Sequence, residues 1–201
     1  MNNNLIITIG REYGTGGREI GQKLALRLGI PFYDRELITR AAKKTGFDEK
    51  LFEQLDKRAT NSFLYSLTMF GSVGLNGMSL TDQLYLAQSN IIREMAEDSS
   101  CVIVGRCAEY VLKDYDNVLS VFIHAPHEYC MEQAAKKQSM GSKELERYIQ
   151  KIDKHRADYH KYYTGLDWTD ARNYDLCLDS SKLGFERCVQ EIMSYINVRF
   201  N

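Results

Sequence analysis

No apolar run in this chain approaches the roughly 20 residues that a membrane-spanning helix needs. Met1-Asn-Asn-Asn leads into an apolar strand without the basic and apolar regions of a signal peptide, so the expected location is the cytoplasm. A charge excess is missing too. Lys and Arg total 26 against 27 Asp and Glu, with no long block of one sign, so no overall field gathers nucleic acid or an anionic membrane, and any phosphate recognition must be local. The five cysteines include no Cys-x-x-Cys pair and are odd in number, which argues against a zinc cluster or a disulfide framework. They read as small buried hydrophobes. No internal repeat or low-complexity linker interrupts the sequence, and 201 residues suit one well-buried core rather than two.

What is present is organised around Leu5 to Gly21. Leu5 to Ile9 is a short, uncharged, β-branched run, as expected for a strand covered on both faces of a parallel sheet. From Arg18 the apolar residues fall at Ile20, Leu24 and Leu28, one face of a helix that Gly29 and Pro31 stop. Between strand and helix, Gly14, Gly16 and Gly17 let the backbone curl so that successive N–H groups face one concavity at the helix N-terminus, an anion site. A standard phosphate loop, Gly-x-x-x-x-Gly-Lys-Ser/Thr, uses its Lys on the outer phosphates and its hydroxyl on Mg²⁺. Both are missing here. Ungapped alignment puts Gly17 at the Lys and Arg18 at the hydroxyl; one extra loop residue makes Arg18 the Lys replacement, a fork that grips phosphate bidentately. The alternative is a glycine-rich turn with a solvated Arg. Gly14, Thr15, Gly16, Gly17, Arg18 and Glu19 are the candidate phosphate contacts.

Ile30 to Asp34 reads as a very short strand and Arg35 to Thr45 as a helix. Asp34 then lies at a strand's C-terminal end, where ligands of open α/β sheets bind, or serves as the next helix's N-cap. Short helices are expected over Asp48–Arg58 and Asn61–Phe70, followed by a glycine-rich loop, Gly71 to Gly77, read as a substrate flap or a homodimer contact. Ser79 is the expected N-cap of a helix carrying Leu84, Ala87, Ile91 and Met95. Cys101 to Val104 forms a strand ending in a second Gly-Arg pair, Gly105-Arg106, and Val118 to Ile123 the next; His124 is assigned no role. Helices are expected over Glu128–Ser139 and from Ser142 as N-cap onward, the latter with Leu145, Ile149, Ile152, Tyr159 and Tyr163 as its stripe. Arg156 sits within that stripe. A guanidinium so placed needs a fixed anion, either a carboxylate such as Asp153 or a bound phosphate. A loop to Asn173, a strand over Tyr174–Leu178 and an amphipathic helix with Phe185, Cys188, Val189, Ile192 and Ile196 complete the chain.

Alternating strands and helices imply an α/β fold of right-handed βαβ units with helices on both faces of a parallel sheet. Within it, Ile7-Thr-Ile-Gly-Arg-Glu-Tyr-Gly-Thr-Gly-Gly-Arg-Glu-Ile20, Phe32-Tyr-Asp-Arg-Glu-Leu-Ile38, Val104-Gly-Arg106, Phe122-Ile-His-Ala-Pro126 and Tyr162-Tyr-Thr-Gly165 resemble stretches of the cytidylate kinase-like family of P-loop proteins. The resemblance covers nearly the whole length. It implies one P-loop domain, a three-layer α/β/α fold with a five-stranded parallel sheet in order 2-3-1-4-5. An acceptor-side helical insert over about residues 46–80 and a lid over about 139–173 are implied as well. It further implies ATP with Mg²⁺ as cofactors and a small nucleotide as partner, with Asp34, Arg40, Gly105 and Arg106 at the acceptor. Arg18, Asp34, Arg106 and Arg156 would carry phosphoryl transfer. Cys107 replaces the acid of that family's Gly-Arg-Asp, so slow, permissive turnover of CMP, dCMP and UMP within about tenfold is expected. Without the loop Lys and hydroxyl, a regulatory nucleotide-binding module is the alternative.

Overall fold

Ile6, Ile7 and Ile9 are almost fully buried, because β1 (Ile6–Arg11) runs through the centre of the sheet and its alternate side chains feed two separate cores. A computed structural model describes residues 4–34 and 78–200. The helices expected over 35–45, 48–58 and 61–70, the 71–77 loop, most of the 46–80 insert and Arg40 lie outside the described residues.

After β1 come α1 (Gly17–Leu28), β2 (Phe32–Tyr33), α2 (Leu80–Asp98), β3 (Cys101–Val104), α3 (Ala108–Val111), β4 (Val118–His124), α4 (His127–Ala135), α5 (Ser142–Thr164), a 3₁₀ turn (Ala171–Asn173), β5 (Leu176–Asp179) and α6 (Ser180–Phe200). The sheet order is β2-β3-β1-β4-β5, and every pairing is parallel. Thr8 of β1 lies between Ile103 and Ser120 in register. Odd-numbered β1 residues meet α1 and α6, where Ile7 and Ile9 pack with Ile20, Leu24, Val189 and Ile192. Ile6 faces the other way, onto Ile92 and Ala96 of α2 and Ala108 and Leu112 around α3. Sheet between two helical layers is the expected three-layer α/β/α arrangement.

Element ends moved for local reasons. β1 runs two residues past Ile9, through Gly10 and Arg11. β5 starts at Leu176 rather than Tyr174, since Tyr174 packs on Phe122 and donates its hydroxyl to the Trp168 carbonyl at 2.8 Å. Gly141, not Ser142, is the N-cap of α5, and α4 stops at Ala135. Ser79 caps α2 as expected, accepting from the Asp82 N–H. The short α3 was not anticipated. Parallel strands bring the ends of β1, β2 and β3 to one sheet edge, and with them the glycine loop, Asp34 and Gly105-Arg106.

Candidate functional site

The loop between β1 and α1 is shaped by backbone that side chains would obstruct. Gly14 and Gly16 have φ of +87° and +78°, the left-handed region that glycine enters without a steric penalty. A Cβ on Gly14 would lie 2.5 Å from the Cys130 carbonyl oxygen, and one on Gly16 would run into the Phe185 ring. Gly16 caps α1 with no side-chain bond, leaving the first-turn N–H groups and the positive end of the helix dipole directed at the loop. Thr15, fully buried, donates its hydroxyl to the Glu12 carbonyl at 2.9 Å. Glu12 in turn accepts from the Ala125 N–H through its side chain at 3.3 Å. Arg18 and Asp34, expected to serve different substrates, are bound to each other: Nε and Nη2 donate to Asp34 Oδ2 at 2.9 and 2.7 Å. Glu19 pairs with Lys137 of the turn after α4.

The second Gly-Arg pair turns just as sharply. Gly105, Arg106 and Cys107 follow β3 with φ of +82°, +61° and +54°, an arrangement that costs on the order of 1–2 kcal/mol at each non-glycine residue. Gly105 is approached by the Arg11 guanidinium, whose Nη1 would lie 2.5 Å from a Cβ there. The Arg106 guanidinium sits 5.6 Å from the centre of the Tyr159 ring. Burial drives the Tyr159 hydroxyl pKa far up, although Arg106 bonds to it and opposes the shift.

Between the two turns lies α5. Arg156 Nη1 donates to Asp153 Oδ1 at 3.0 Å and to the Arg11 carbonyl at 3.1 Å, so the carboxylate considered for it lies within bonding distance. Asp153 also receives the Tyr13 loop N–H on both oxygens, at 2.9 and 3.0 Å. A carboxylate from α5 therefore sits on a loop amide. Burial raises the Asp153 pKa against the opposing pull of Arg156 and the Tyr13 amide. Glu12 is raised as well, by burial first and then by Asp153's charge, against the lowering bond from Ala125.

A further contact joins α5 to α3. His160, 3 % exposed, faces Glu109 Oε1 through Nε2 at 3.0 Å and the Leu166 carbonyl through Nδ1 at 3.1 Å. Both ring nitrogens meet acceptors, which favours the imidazolium. Burial lowers the His160 pKa, but the bond and charge of Glu109, with the Leu166 carbonyl, outweigh it and the net direction is up.

Two cavities open along this surface. One, about 300 Å³, is lined by Arg11, Tyr13, Arg106, Glu109, Tyr159 and Trp168 among others. The other, about 210 Å³, lies on the glycine loop among Gly14, Gly16, Arg18, Lys137 and Phe185. Arg11, Tyr13 and Arg156 line both. The residues fit a phosphate chain on the loop: two left-handed glycines, an uncapped helix start and converging cations. They offer Mg²⁺ no loop hydroxyl, since Thr15 is buried and bonded and Arg18 stands in the hydroxyl position of the ungapped alignment. Among the described residues no group of three His, Cys, Asp or Glu side chains is arranged to hold a metal.

Arg11, Glu12, Glu109 and His160 join the site in the structure without standing out in the sequence. Arg11 had a signal, a charged residue close after an uncharged strand, the same signal that marked Gly105-Arg106. Glu109 and His160 are 51 residues apart on helices whose docking no local pattern encodes.

The sequence model of the cytidylate kinase-like family matches residues 6–182. A cytidylate kinase of Methanopyrus kandleri (strain AV19) is 27% identical over 188 residues, covering 89% of this chain and 86% of the relative. A protein of Eubacterium ventriosum ATCC 27560 described as uncharacterized superposes with a TM-score of 0.76 at 32% identity, over 98% of this chain and 99% of that one. Shikimate kinase from Bacteroides thetaiotaomicron shares the fold, with a TM-score of 0.52 at 16% identity over 96% and 98% of the two chains.

Proposed function

Because this chain belongs to the cytidylate kinase-like family, we propose that it transfers the γ-phosphoryl group of ATP to a nucleoside monophosphate, with a pyrimidine monophosphate such as CMP as acceptor. The curated relative from Methanopyrus kandleri, named a cytidylate kinase, supports the same acceptor class. One observation carries the reading: the loop cavity and the larger cleft meet at Arg11, Tyr13 and Arg156. Two phosphorylated ligands bound on either side would present their phosphates to one another across that junction.

In this arrangement the loop amides, with Arg18 and Lys137, hold the donor phosphates, and Gly105-Arg106, Asp34 and Arg40 serve the acceptor. An acceptor phosphate oxygen attacks the γ-phosphorus in line, the bond from the γ-phosphorus to the β–γ bridging oxygen breaks, and ADP leaves with that electron pair. The products are ADP and a nucleoside diphosphate. Arg11 and Arg156 flank the transferring group, where charge spreads over the equatorial oxygens, so their contribution is positioning and charge stabilisation. Mg²⁺ arriving with ATP would neutralise phosphate charge. Helix α5, within the 139–173 segment, is the lid that excludes water when both ligands are bound.

A second reading, a nucleotide-binding regulatory module without transferase activity, draws on the pairing at the loop. Arg18, Lys137 and Arg156 each hold a carboxylate, Asp34, Glu19 and Asp153. A coupled ADP-release assay over a panel of monophosphates with ATP and Mg²⁺ separates the two. Acceptor-dependent release that Arg156→Ala abolishes supports the kinase; ATP binding without release from any acceptor supports the module.

A further inference from the structure

Resting on the proposal that the larger cleft takes the acceptor, the structure also points to what reads its base. The phosphate end of that cleft is the junction at Arg11 and Arg156, so the base lies toward the opposite end, among residues that do not reach the loop. Those residues include the aromatic rings of Tyr159 and Trp168 and the side chains of Arg106, His155 and His160, with Glu109 as the one carboxylate among the described lining residues. Cys107 lines the cleft with a thiol whose pKa burial raises well above its usual value, so it offers no anionic acceptor. The Glu109 side chain is only 9% exposed, and the His160 side chain 4%. His160 takes one Glu109 oxygen at 3.0 Å while the Leu166 carbonyl fixes the far side of the ring at 3.1 Å. The carboxylate is thus pinned through one oxygen on a residue that lines the cleft, and a carboxylate has a second oxygen with which to accept.

We infer that Glu109, held by His160, is the base-reading residue of the acceptor site and selects a pyrimidine bearing an exocyclic amino group over one bearing a carbonyl at that position. A cytosine N4 amino group donates to a carboxylate, whereas the corresponding carbonyl of uracil sets acceptor against acceptor and leaves both unpaired in a buried site. His160 acts through Glu109 and is a positioning residue. The outcome is opposite to the permissiveness expected from Cys107 alone.

The test is the ratio of kcat/KM for CMP to that for UMP, measured within each variant, because a ratio is insensitive to the fraction of enzyme folded. Calorimetric affinities of the same two nucleotides provide a second readout independent of turnover. The parent should prefer CMP by about thirtyfold or more, and Glu109→Ala should bring the ratio to within about threefold of unity. His160→Ala should erode the preference, and His160→Gln, which keeps a donor for the carboxylate, should restore most of it. A ratio unchanged in Glu109→Ala, with both nucleotides still binding, overturns the inference and leaves the kinase reading standing. Failure of every monophosphate to bind the parent overturns both.

Discussion

Arg156 answers to three neighbours at once: the Asp153 carboxylate, the Arg11 carbonyl and the Tyr13 ring, 5.8 Å from its centre. Such a fork is rigid before any ligand arrives. Loss of one preorganised charge contact in a transition state costs on the order of 100-fold or more, so Arg156→Ala and Arg11→Ala should each lower kcat/KM by about that factor in a steady-state assay. For Arg18 the expectation is milder because more than half of its side chain is exposed and Asp34 already engages it. Arg18→Ala should weaken an ATP analogue roughly tenfold; equal calorimetric affinity would leave Arg18 only the task of tethering Asp34. Gly16→Ala combines a φ of +78° with a collision against Phe185. It should destabilise by about 2 kcal/mol or more, some 4–8 °C in melting temperature, and Phe185→Ala in the same chain should recover part of the loss. The glycines and Gly105-Arg106 were legible because residue type and strand-end position both appear in a linear sequence. The Arg18–Asp34 pairing was not, since which side chains meet depends on how α1 leans over the end of β2.

Helix α5 was legible as an amphipathic helix from its stripe, and the polar interruption at Arg156 marked where it meets the sheet edge. Its N-cap was misplaced by one residue, a difference that periodicity cannot resolve. What the stripe could not show is how α5 is fastened, through Asp153 at the loop and His160 at α3. Hydrogen exchange should report slower exchange along α5 once ATP analogue and acceptor are both bound; unchanged protection under saturation would remove the lid assignment. The His160 contact gives α5 a pH response as well. Its folded pKa lies above the ordinary value of about 6.5, with Glu109 and Asp167 as the facing negative groups. The imidazolium's stabilisation is fully present below about pH 6.5 and lost as pH rises through the folded value. Melting temperature should therefore fall as pH rises above about 6.5 by an increment that is absent in His160→Ala.

For the molecule as a whole, the order of strands and the three layers followed from alternation of elements and resemblance, whereas the mutual placement of α3 and α5 depends on long-range packing. Saturating a native-state ligand at about 100 times Kd adds about 2.7 kcal/mol. For a chain of this size that is roughly 5–10 °C, so thermal scans with ATP analogue and CMP should show shifts of this size. Thiol labelling is a second whole-molecule test: Cys101, Cys107, Cys130 and Cys188 are buried and Cys177 partly so. Burial pushes the Cys101 and Cys130 thiols up to about 12, and Cys177, also raised but partly exposed, should be the one thiol per chain that reacts ahead of unfolding. The Asp153 carboxylate on the Tyr13 amide also has a kinetic consequence. If nucleotide phosphates bind along the loop as proposed, they approach a backbone amide already held by the protein's own anion, so binding would be partly an exchange with Asp153. In stopped-flow traces with an ATP analogue, Asp153→Ala should quicken association, and an unchanged association rate would show that no such exchange takes place.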